Sequence, residues 1–394
     1  MSDFGPMEGG GPLEKAIRDL ARMLTSQGPI NWEFARQLAL MTASEGETEP
    51  NPDPLARVRL EELLRVAELH VAEATGLTAA VGGGLLSVRA VTRSDWALRT
   101  LQAWKPLLET LATALGRSVA EDAAIVETPT DPMARLLGNL PQALAPLLFG
   151  IQVGSMVGQL ATRAMGQYDL PVPRPPGDDL LMVPVAIDGF AQDWSLAVDD
   201  VRLWVCLHEV THHAVLSRPH VRERLDSLMR DYVNAFEPNA AGLEDRLTMF
   251  DPTDLSSLQQ TFSSPEVLLG EMQSDAQRQV MVPLTALLSA VVGYVDHVMD
   301  TVGHRLIASY GPLTEAMRRR RLEGGEGSEF VARLLGVSLD GAAYERGTAF
   351  VKGVVERAGE EGLARLWNSA RELPTPAEIA APGLWLARID LPDD

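Results

Sequence analysis

His208, Glu209 and His212 form the pattern His-Glu-Val-Thr-His, whose residue types and spacing could bind a metal ion and move a proton. The two histidines are four residues apart, so on a helix their imidazoles lie one turn apart on one face and can share a tetrahedral ion. Glu209 lies about 100° further round the helix. From there its carboxylate reaches a metal-bound water more easily than the metal, as a general base requires. The pattern therefore predicts a zinc hydrolase site.

A helix must position this pattern, and the sequence predicts one from about Val201 to Ser217. Asp199 or Asp200 is a suitable N-cap, and Pro219 follows the predicted end. The residues before the first histidine are apolar, so the helix should be buried. Two buried histidines need polar partners, which a metal ion would supply. Core histidines satisfied by hydrogen bonds alone are the alternative.

The third metal ligand must come from elsewhere, because a catalytic zinc site takes three protein ligands and leaves one position to water. Glu271 is one candidate, since the segment GEMQSD is similar to the Glu-x-x-x-Asp arrangement of gluzincins. A capping box at Ser274 would start a helix there and leave Glu271 in a loop. The other candidates are Asp296, His297 and Asp300, a polar cluster in the apolar helix that follows. Buried without a partner, each would cost free energy, so a metal or a ligating histidine is the natural partner.

Further elements should surround these two helices. Apolar spacing predicts amphipathic helices over 55–74 and 94–115. The stretch 135–163 has no charged residue between its two end residues. Polar residues and prolines interrupt it, so it predicts a buried hairpin of helices rather than a membrane span. Residues 179–188 predict a strand that Pro184 confines to a sheet edge or a bulge. A mainly α fold with a small β-sheet is expected.

The domain prediction separates an N-terminal segment from one large domain. Residues 1–54 are expected to form a flexible tail, a short helix and an acidic, proline-rich linker. Residues 55–394 are expected to form a mainly helical domain, with a helical subdomain over 55–168 as an option. Three glycines at four-residue spacing predict close helix packing inside it: Gly150, Gly154 and Gly158.

The composition limits the partners. The chain of 394 residues carries 34 Lys and Arg against 54 Asp and Glu, a formal charge of −20, so we expect no nucleic-acid partner. The run Arg318 to Arg321 is expected to be a solvated helix face. A single cysteine, Cys206, excludes an intramolecular disulfide, and no signal peptide is visible, which favours the cytoplasm.

Five segments together resemble the zincin-like metallopeptidase family of Actinobacteria, whose members are described as hydrolases or as associated with coenzyme F420 biosynthesis. Besides the HEVTH motif, these segments are Gly150-x-Gln152-x-Gly154, Gly166-Gln167-Tyr168-Asp169, the run GYVDHVMD at 293–300 and Tyr344-x-x-Gly347-x-x-Phe350. The resemblance covers most of the chain from about residue 55. It implies a zincin-like metal-binding helix pair with a small β-sheet and a surrounding helical bundle.

One departure from the family pattern concerns the third ligand. In a related branch a glutamate precedes the glycine of the run at 293–300, and it is the expected ligand, but Val292 stands there in this chain. Asp296 lies one helical turn beyond Val292 on the same face. Asp296 is therefore preferred as the third ligand over Glu271 and His297.

Two further expectations concern the helix that carries Asp296. Gly293 allows another helix to approach closely, and the HEVTH helix is the expected neighbour. Tyr294 and His297 are candidates to stabilise the oxyanion that forms when water attacks a carbonyl.

The sequence therefore predicts a zinc-dependent hydrolase, a metallopeptidase acting on a peptide or small amide, in which Glu209 deprotonates a zinc-bound water. One alternative is a zincin scaffold that has lost its third ligand and works as a binding or structural protein. The other is a non-peptide hydrolase in cofactor metabolism, which a small, closed cleft would favour. Nothing in the sequence gives the oligomeric state.

Overall fold

The protein is described by a computed structural model that covers residues 28–80, 83–125, 132–236 and 274–392, and leaves aside the side chains of 117–143, 322 and 326. The α-helices in these stretches are α1 (Trp32–Ala43), α2 (Pro54–Thr75), α3 (Arg93–Ile125), α4 (Pro132–Arg163), α5 (Pro184–Asp193), α6 (Val198–Leu216), α7 (Pro219–Asn234), α8 (Asp275–Leu306), α9 (Tyr310–Leu322), α10 (Glu326–Leu335), α11 (Gly341–Ala364), α12 (Pro376–Ala380) and α13 (Pro382–Ile389). Two 3₁₀ turns, Arg365–Trp367 and Ala370–Glu372, follow α11.

The strands β1 (Ser87–Ala90) and β2 (Asp179–Met182) form a two-stranded parallel sheet, with Ser87 opposite Asp179. The prediction of a mainly α fold with a small sheet is confirmed. The predicted strand extent was wrong, because β2 ends at Met182 and Pro184 begins α5. Proline suits the first turn of a helix, where its missing N–H is not needed.

Helix α4 is one continuous helix, so the predicted hairpin over 135–163 was wrong. The reason lies in its glycine stripe, which packs along α1. A Cβ at Gly154 would lie 2.5 Å from the carbonyl oxygen of Ala35, and one at Gly158 would lie 3.0 Å from that of Ala39. A break in α4 would lose this close contact, and packing outweighs the helix-breaking tendency of the internal prolines. The predicted close packing of the glycines is present.

Helix α1 belongs to the same core as the helices that follow. Its N-cap residue, Asn31, donates its backbone N–H to the carbonyl oxygen of Pro146 in α4 at 2.7 Å. The indole of Trp32 donates to the carboxylate of Glu109 in α3 at 3.0 Å. The short helix predicted within 1–54 is therefore packed into the body of the protein. The predicted tail before residue 28 lies outside the described residues.

The two helices that carry the predicted site residues, α6 and α8, begin close to their predicted positions. Helix α6 starts at Val198, so Asp199 and Asp200 lie in its first turn, where carboxylates favour the positive end of the helix dipole, and neither is the N-cap. Helix α8 starts with the predicted capping box, in which the Ser274 hydroxyl accepts from the N–H of Gln277 and the Gln277 side chain accepts from the N–H of Ser274.

Gly293 in α8 meets α11, and the expectation that the HEVTH helix lies against this glycine was wrong. A Cβ at Gly293 would lie 2.6 Å from the Cα of Gly347, whose own Cβ would lie 2.9 Å from the carbonyl carbon of Ser289. Two facing glycines let the helix backbones touch. Helix α8 also packs against α6 and α7, so it joins the HEVTH helix to the C-terminal helices.

Two helices in the described part of the chain are long and apolar enough to cross a membrane by length and hydropathy alone, Leu144–Arg163 within α4 and α8. The buried share of the most apolar window is 78% for the first and 61% for the second. Core helices pass the same test, so this result is weak evidence for a membrane span.

Candidate metal and catalytic site

The HEVTH motif lies in the buried part of α6. The ring centroids of His208 and His212 are 4.3 Å apart, and the Trp204 indole stacks on His208 at 5.0 Å. Burial, followed by the charge of Arg321, lowers the pKa of His208 to about 3. Burial, followed by the neighbouring His208, also lowers the pKa of His212. Both imidazoles are therefore neutral near pH 7, as metal ligands must be.

The ring nitrogens of His212 have separate roles. Nδ1 lies 3.1 Å from the carbonyl oxygen of His208, so it carries the proton and donates it to that oxygen. This tautomer leaves the Nε2 lone pair available, which is the usual arrangement of a metal-ligating histidine. The ring of Tyr168 stacks against His212 with centroids 6.0 Å apart and limits its rotation.

Glu209 is buried, and a short loop after α4 holds its carboxylate. Oε2 accepts the backbone N–H groups of Gln167 at 2.7 Å and Tyr168 at 2.9 Å, and Oε1 lies 3.3 Å from Nδ1 of His208. Burial, with the nearby charge of Asp169, raises the pKa of Glu209 to about 8, although the two backbone hydrogen bonds act in the opposite direction. The group is therefore poised to gain or lose a proton near neutral pH.

The loop itself is fixed from three sides. The indole N–H of Trp96 donates to the carbonyl oxygen of Gly166 at 2.7 Å, and Asp169 accepts the backbone N–H of Met165 at 2.6 Å. Arg320 of α9 donates to the other oxygen of Asp169 at 3.1 Å. The backbone groups that contact Glu209 are thus positioned by residues from α3 and α9.

Asp296 lines the same small cavity as the two histidines, but its carboxylate is already paired. The cavity has a volume of about 40 Å³, enough for a few water molecules. Nη1 of Arg321 lies 3.0 and 3.1 Å from the two carboxylate oxygens of Asp296. The guanidinium of Arg321 also lies over the ring of Tyr344, 4.8 Å from its centroid. Two arginines of the run, Arg320 and Arg321, therefore face the site. The prediction of a solvated helix face is correct only for Arg318 and Arg319.

Tyr294 and His297 do not meet the HEVTH motif, and their predicted place beside it is corrected. Tyr294 packs edge-on against Trp367, with centroids 5.3 Å apart, and Nε2 of His297 lies 3.0 Å from Glu360. Both line a separate cavity. On a helix they lie about 200° and 140° round from Val292, whose face meets the motif.

Asp300 and Glu271 are the other two candidate ligands that the sequence predicts. Asp300 accepts the hydroxyl of Tyr310 at 2.7 Å and so has a partner in α9. Glu271 lies outside the described residues, and its role as a ligand stays a prediction.

The two imidazoles have the chemistry and the tautomer that a zinc ion requires. In the described residues, no third ligand is in position beside them. Within the described stretches, no group of three or more His, Cys, Asp or Glu residues is close enough together to hold a metal ion. Asp296 lines the same cavity as the pair, but its carboxylate is engaged by Arg321. Its assignment as the third ligand therefore stays a prediction.

The profile of a family described as zincin-like metallopeptidases matches residues 30–386 of this chain. The chain belongs to that family. A crystal structure from Chloroflexus aurantiacus, described as a candidate hydrolase with a novel fold, is similar to this zincin-like protein, with a TM-score of 0.59 and 25% identity. The match covers 92% of this chain and 100% of the other. A search of curated proteins found no match. The narrower resemblance to an actinobacterial branch associated with coenzyme F420 stays a prediction.

A larger cavity of about 380 Å³ adjoins the site of this zincin-like protein. Five residues line both cavities: Asp169, Arg320, Arg321, Leu339 and Tyr344. The indoles of Trp96 and Trp104 contribute to its wall. Its volume lies in the range of small-molecule pockets.

The residues that surround the HEVTH motif were not predicted from the sequence. Tyr168 and Asp169 belong to a segment that carried the family resemblance, but no role was predicted for either residue. Arg320 and Arg321 were hidden in a charged run, because only the packing of α9 shows which of its faces is buried. Helical periodicity on α8 could have excluded Tyr294 and His297 from the face of Val292 and Asp296.

Proposed function

We propose that this protein is a zinc-dependent hydrolase that cleaves an amide bond in a peptide or small amide. The observation that carries the proposal is the buried carboxylate of Glu209, held by two backbone N–H groups next to two neutral imidazoles. Membership of the zincin-like metallopeptidase family supports hydrolysis as the reaction class.

Glu209 is the group that moves protons. An efficient general base has a pKa near the working pH, and the raised pKa of Glu209 meets this condition. A zinc ion held by His208 and His212 would supply a Lewis acid that acidifies water and polarises the amide carbonyl. Glu209 would take a proton from the attacking water and return it to the leaving amine. The hydrogen bonds from the loop keep its carboxylate in one orientation through both transfers.

Tyr344 is the side chain best placed to stabilise negative charge on the substrate oxygen. It lines both the small cavity and the larger one, and burial raises the pKa of its hydroxyl, so it stays a hydrogen-bond donor across the physiological range. A donor that lies in place before the reaction stabilises an oxyanion with little reorganisation. This role replaces the one predicted for Tyr294 and His297.

The test separates metal binding from catalysis. We expect Glu209→Gln to keep zinc and to lose hydrolysis of a fluorogenic peptide mixture by about 10²–10⁴-fold, the usual contribution of general acid–base catalysis. Glu356→Gln, an exposed carboxylate on α11, is the matched control and should change neither property. Zinc per chain is measured by elemental analysis.

Two results would contradict the proposal. Protein that takes up no zinc after the ion is supplied would point to the scaffold alternative. Glu209→Gln with wild-type activity would show that another group carries the proton. Activity on small amides without any on peptides would agree with the proposal and would favour a small amide as the substrate class.

A further inference from the structure

The pair between Asp296 and Arg321 joins α8 to α9 across the small cavity. Both side chains are partly buried, and one nitrogen of the guanidinium contacts both carboxylate oxygens. The face of the guanidinium is covered by the ring of Tyr344. A partly buried pair of this kind is screened little by solvent, so the carboxylate is held more firmly than in a surface salt bridge.

The guanidinium of Arg321 lines the same small cavity as both histidines. Arg320 lines this cavity too, and it is paired with Asp169. A divalent cation bound by the two imidazoles would face the positive charge of Arg321 across the cavity and would be repelled by it.

Arg321 and a metal ion would therefore compete for one carboxylate. Asp296 lines the cavity that contains both histidines, yet it does not form a three-donor group with them in the described stretches. Opening the ion pair would free the carboxylate and move a positive charge away from the imidazoles.

We propose that Arg321 is an internal competitor of the metal, whose ion pair with Asp296 keeps the third carboxylate from the histidine pair until the pair opens. This inference rests on the proposed function, because it takes His208 and His212 as metal ligands. By linkage, whatever weakens the ion pair tightens metal binding, and metal binding weakens the ion pair. The site would thus exist in a closed form with two histidines available and an open form with Asp296 added.

The same helix provides a control. Arg318 is exposed and lies 3.9 Å from Glu315, so Arg318→Gln removes one positive charge from α9 without touching the cavity. A general effect of net charge on metal binding would appear in Arg318→Gln and Arg321→Gln alike. An effect of the ion pair would appear in Arg321→Gln alone.

The experiment measures zinc affinity by competition with a chromophoric chelator, together with the visible spectrum of the cobalt-substituted protein. We expect Arg321→Gln to bind zinc about 5–150-fold more tightly than wild type, the usual range of coupling between two sites. Arg318→Gln should stay within about twofold of wild type, because exposed charges contribute little. Cobalt bound to Arg321→Gln should show a spectrum that differs from wild type, since a carboxylate has joined its ligands.

Asp296→Asn completes a double-mutant cycle. In the wild-type background it should change zinc affinity little, because the carboxylate is not a ligand while Arg321 holds it. In the Arg321→Gln background it should remove the gain. Arg321→Lys keeps the charge but loses the planar contact, so its zinc affinity should lie between those of wild type and Arg321→Gln. It takes the place of the glutamine variant if that variant does not fold.

Three outcomes overturn the inference. Equal zinc affinity in wild type and Arg321→Gln would show that Arg321 does not compete, and would leave the proposed function standing. Strong loss of zinc in Asp296→Asn alone would show that Asp296 is a ligand with Arg321 in place. Absence of zinc binding in every variant would overturn both this inference and the proposed function.

Discussion

Gly166 lies so close to the Glu209 carboxylate that a Cβ on this glycine would be 2.5 Å from Oε1. The loop can donate its backbone N–H groups to Glu209 only because no side chain stands between them. The glycine of the segment Gly-Gln-Tyr-Asp is therefore required by the buried carboxylate of Glu209, and not by a turn.

Gly166→Ala should destabilise the protein by about 1–3 kcal/mol, the usual cost of an extra methyl group in a packed interior. It should also lower activity, because the carboxylate must move. Urea denaturation measures the first effect. Gly177→Ala, where an added Cβ meets nothing within 4 Å, is the control, and an equal loss in both variants would contradict the explanation.

The metal-free protein should lose stability as the pH rises from about 6.5 to about 8, an interval that lies above the unfolded-state pKa of histidine, so that the lowered pKa values of His208 and His212 no longer oppose the effect of Glu209. The pKa of Glu209 is raised from 4.5 in the unfolded chain to about 8 in the fold, so the folded state binds the proton more tightly over this interval. The unfolding free energy must then fall with rising pH. Glu209→Gln should flatten this part of the pH profile in thermal unfolding, whereas an unchanged slope would show that another group titrates.

Removal of zinc should lower the melting temperature of the wild type, because an ion that binds only the folded state stabilises it by mass action. His208→Ala and His212→Ala should bind no zinc and show no shift when a chelator is added. His220→Ala on α7, outside the cavity, keeps the wild-type response. Differential scanning calorimetry with and without the chelator gives the comparison.

Tyr344→Phe and Tyr294→Phe form a matched pair. The first should lower kcat by about 10²-fold, the usual cost of losing an oxyanion donor, and should leave zinc binding unchanged. The second should leave kcat unchanged, because Tyr294 packs against Trp367 away from the cavity. The reverse result would restore the role that the sequence predicted for Tyr294.

The fold was predictable where the signals are local. The start of α8 depends on Ser274 and Gln277, three residues apart, and it was predicted correctly. The continuity of α4 depends on a glycine stripe that meets another helix, and local proline signals gave the wrong answer.

The same division holds within the site. The spacing of His208, Glu209 and His212 follows from helix geometry alone, so the sequence showed it. The pair of Asp296 with Arg321 joins two helices that meet only in the folded chain. A carboxylate in a polar cluster therefore looked available as a ligand, since nothing nearby in sequence indicated its partner.

The parallel pairing of β1 with β2 affects the order in which the parts of the site form again during refolding. Ser87 and Asp179 are 92 residues apart. The loop that holds Glu209 is connected to the end of β2 by the hydrogen bond that the backbone N–H of Val183 donates to the carbonyl oxygen of Met165. Contacts between such distant residues form slowly, because a long chain segment must first be closed, whereas one helix brings its own residues together within microseconds. We therefore expect a refolding chain to recover zinc binding by the histidine pair before it recovers hydrolysis, with a lag set by strand pairing.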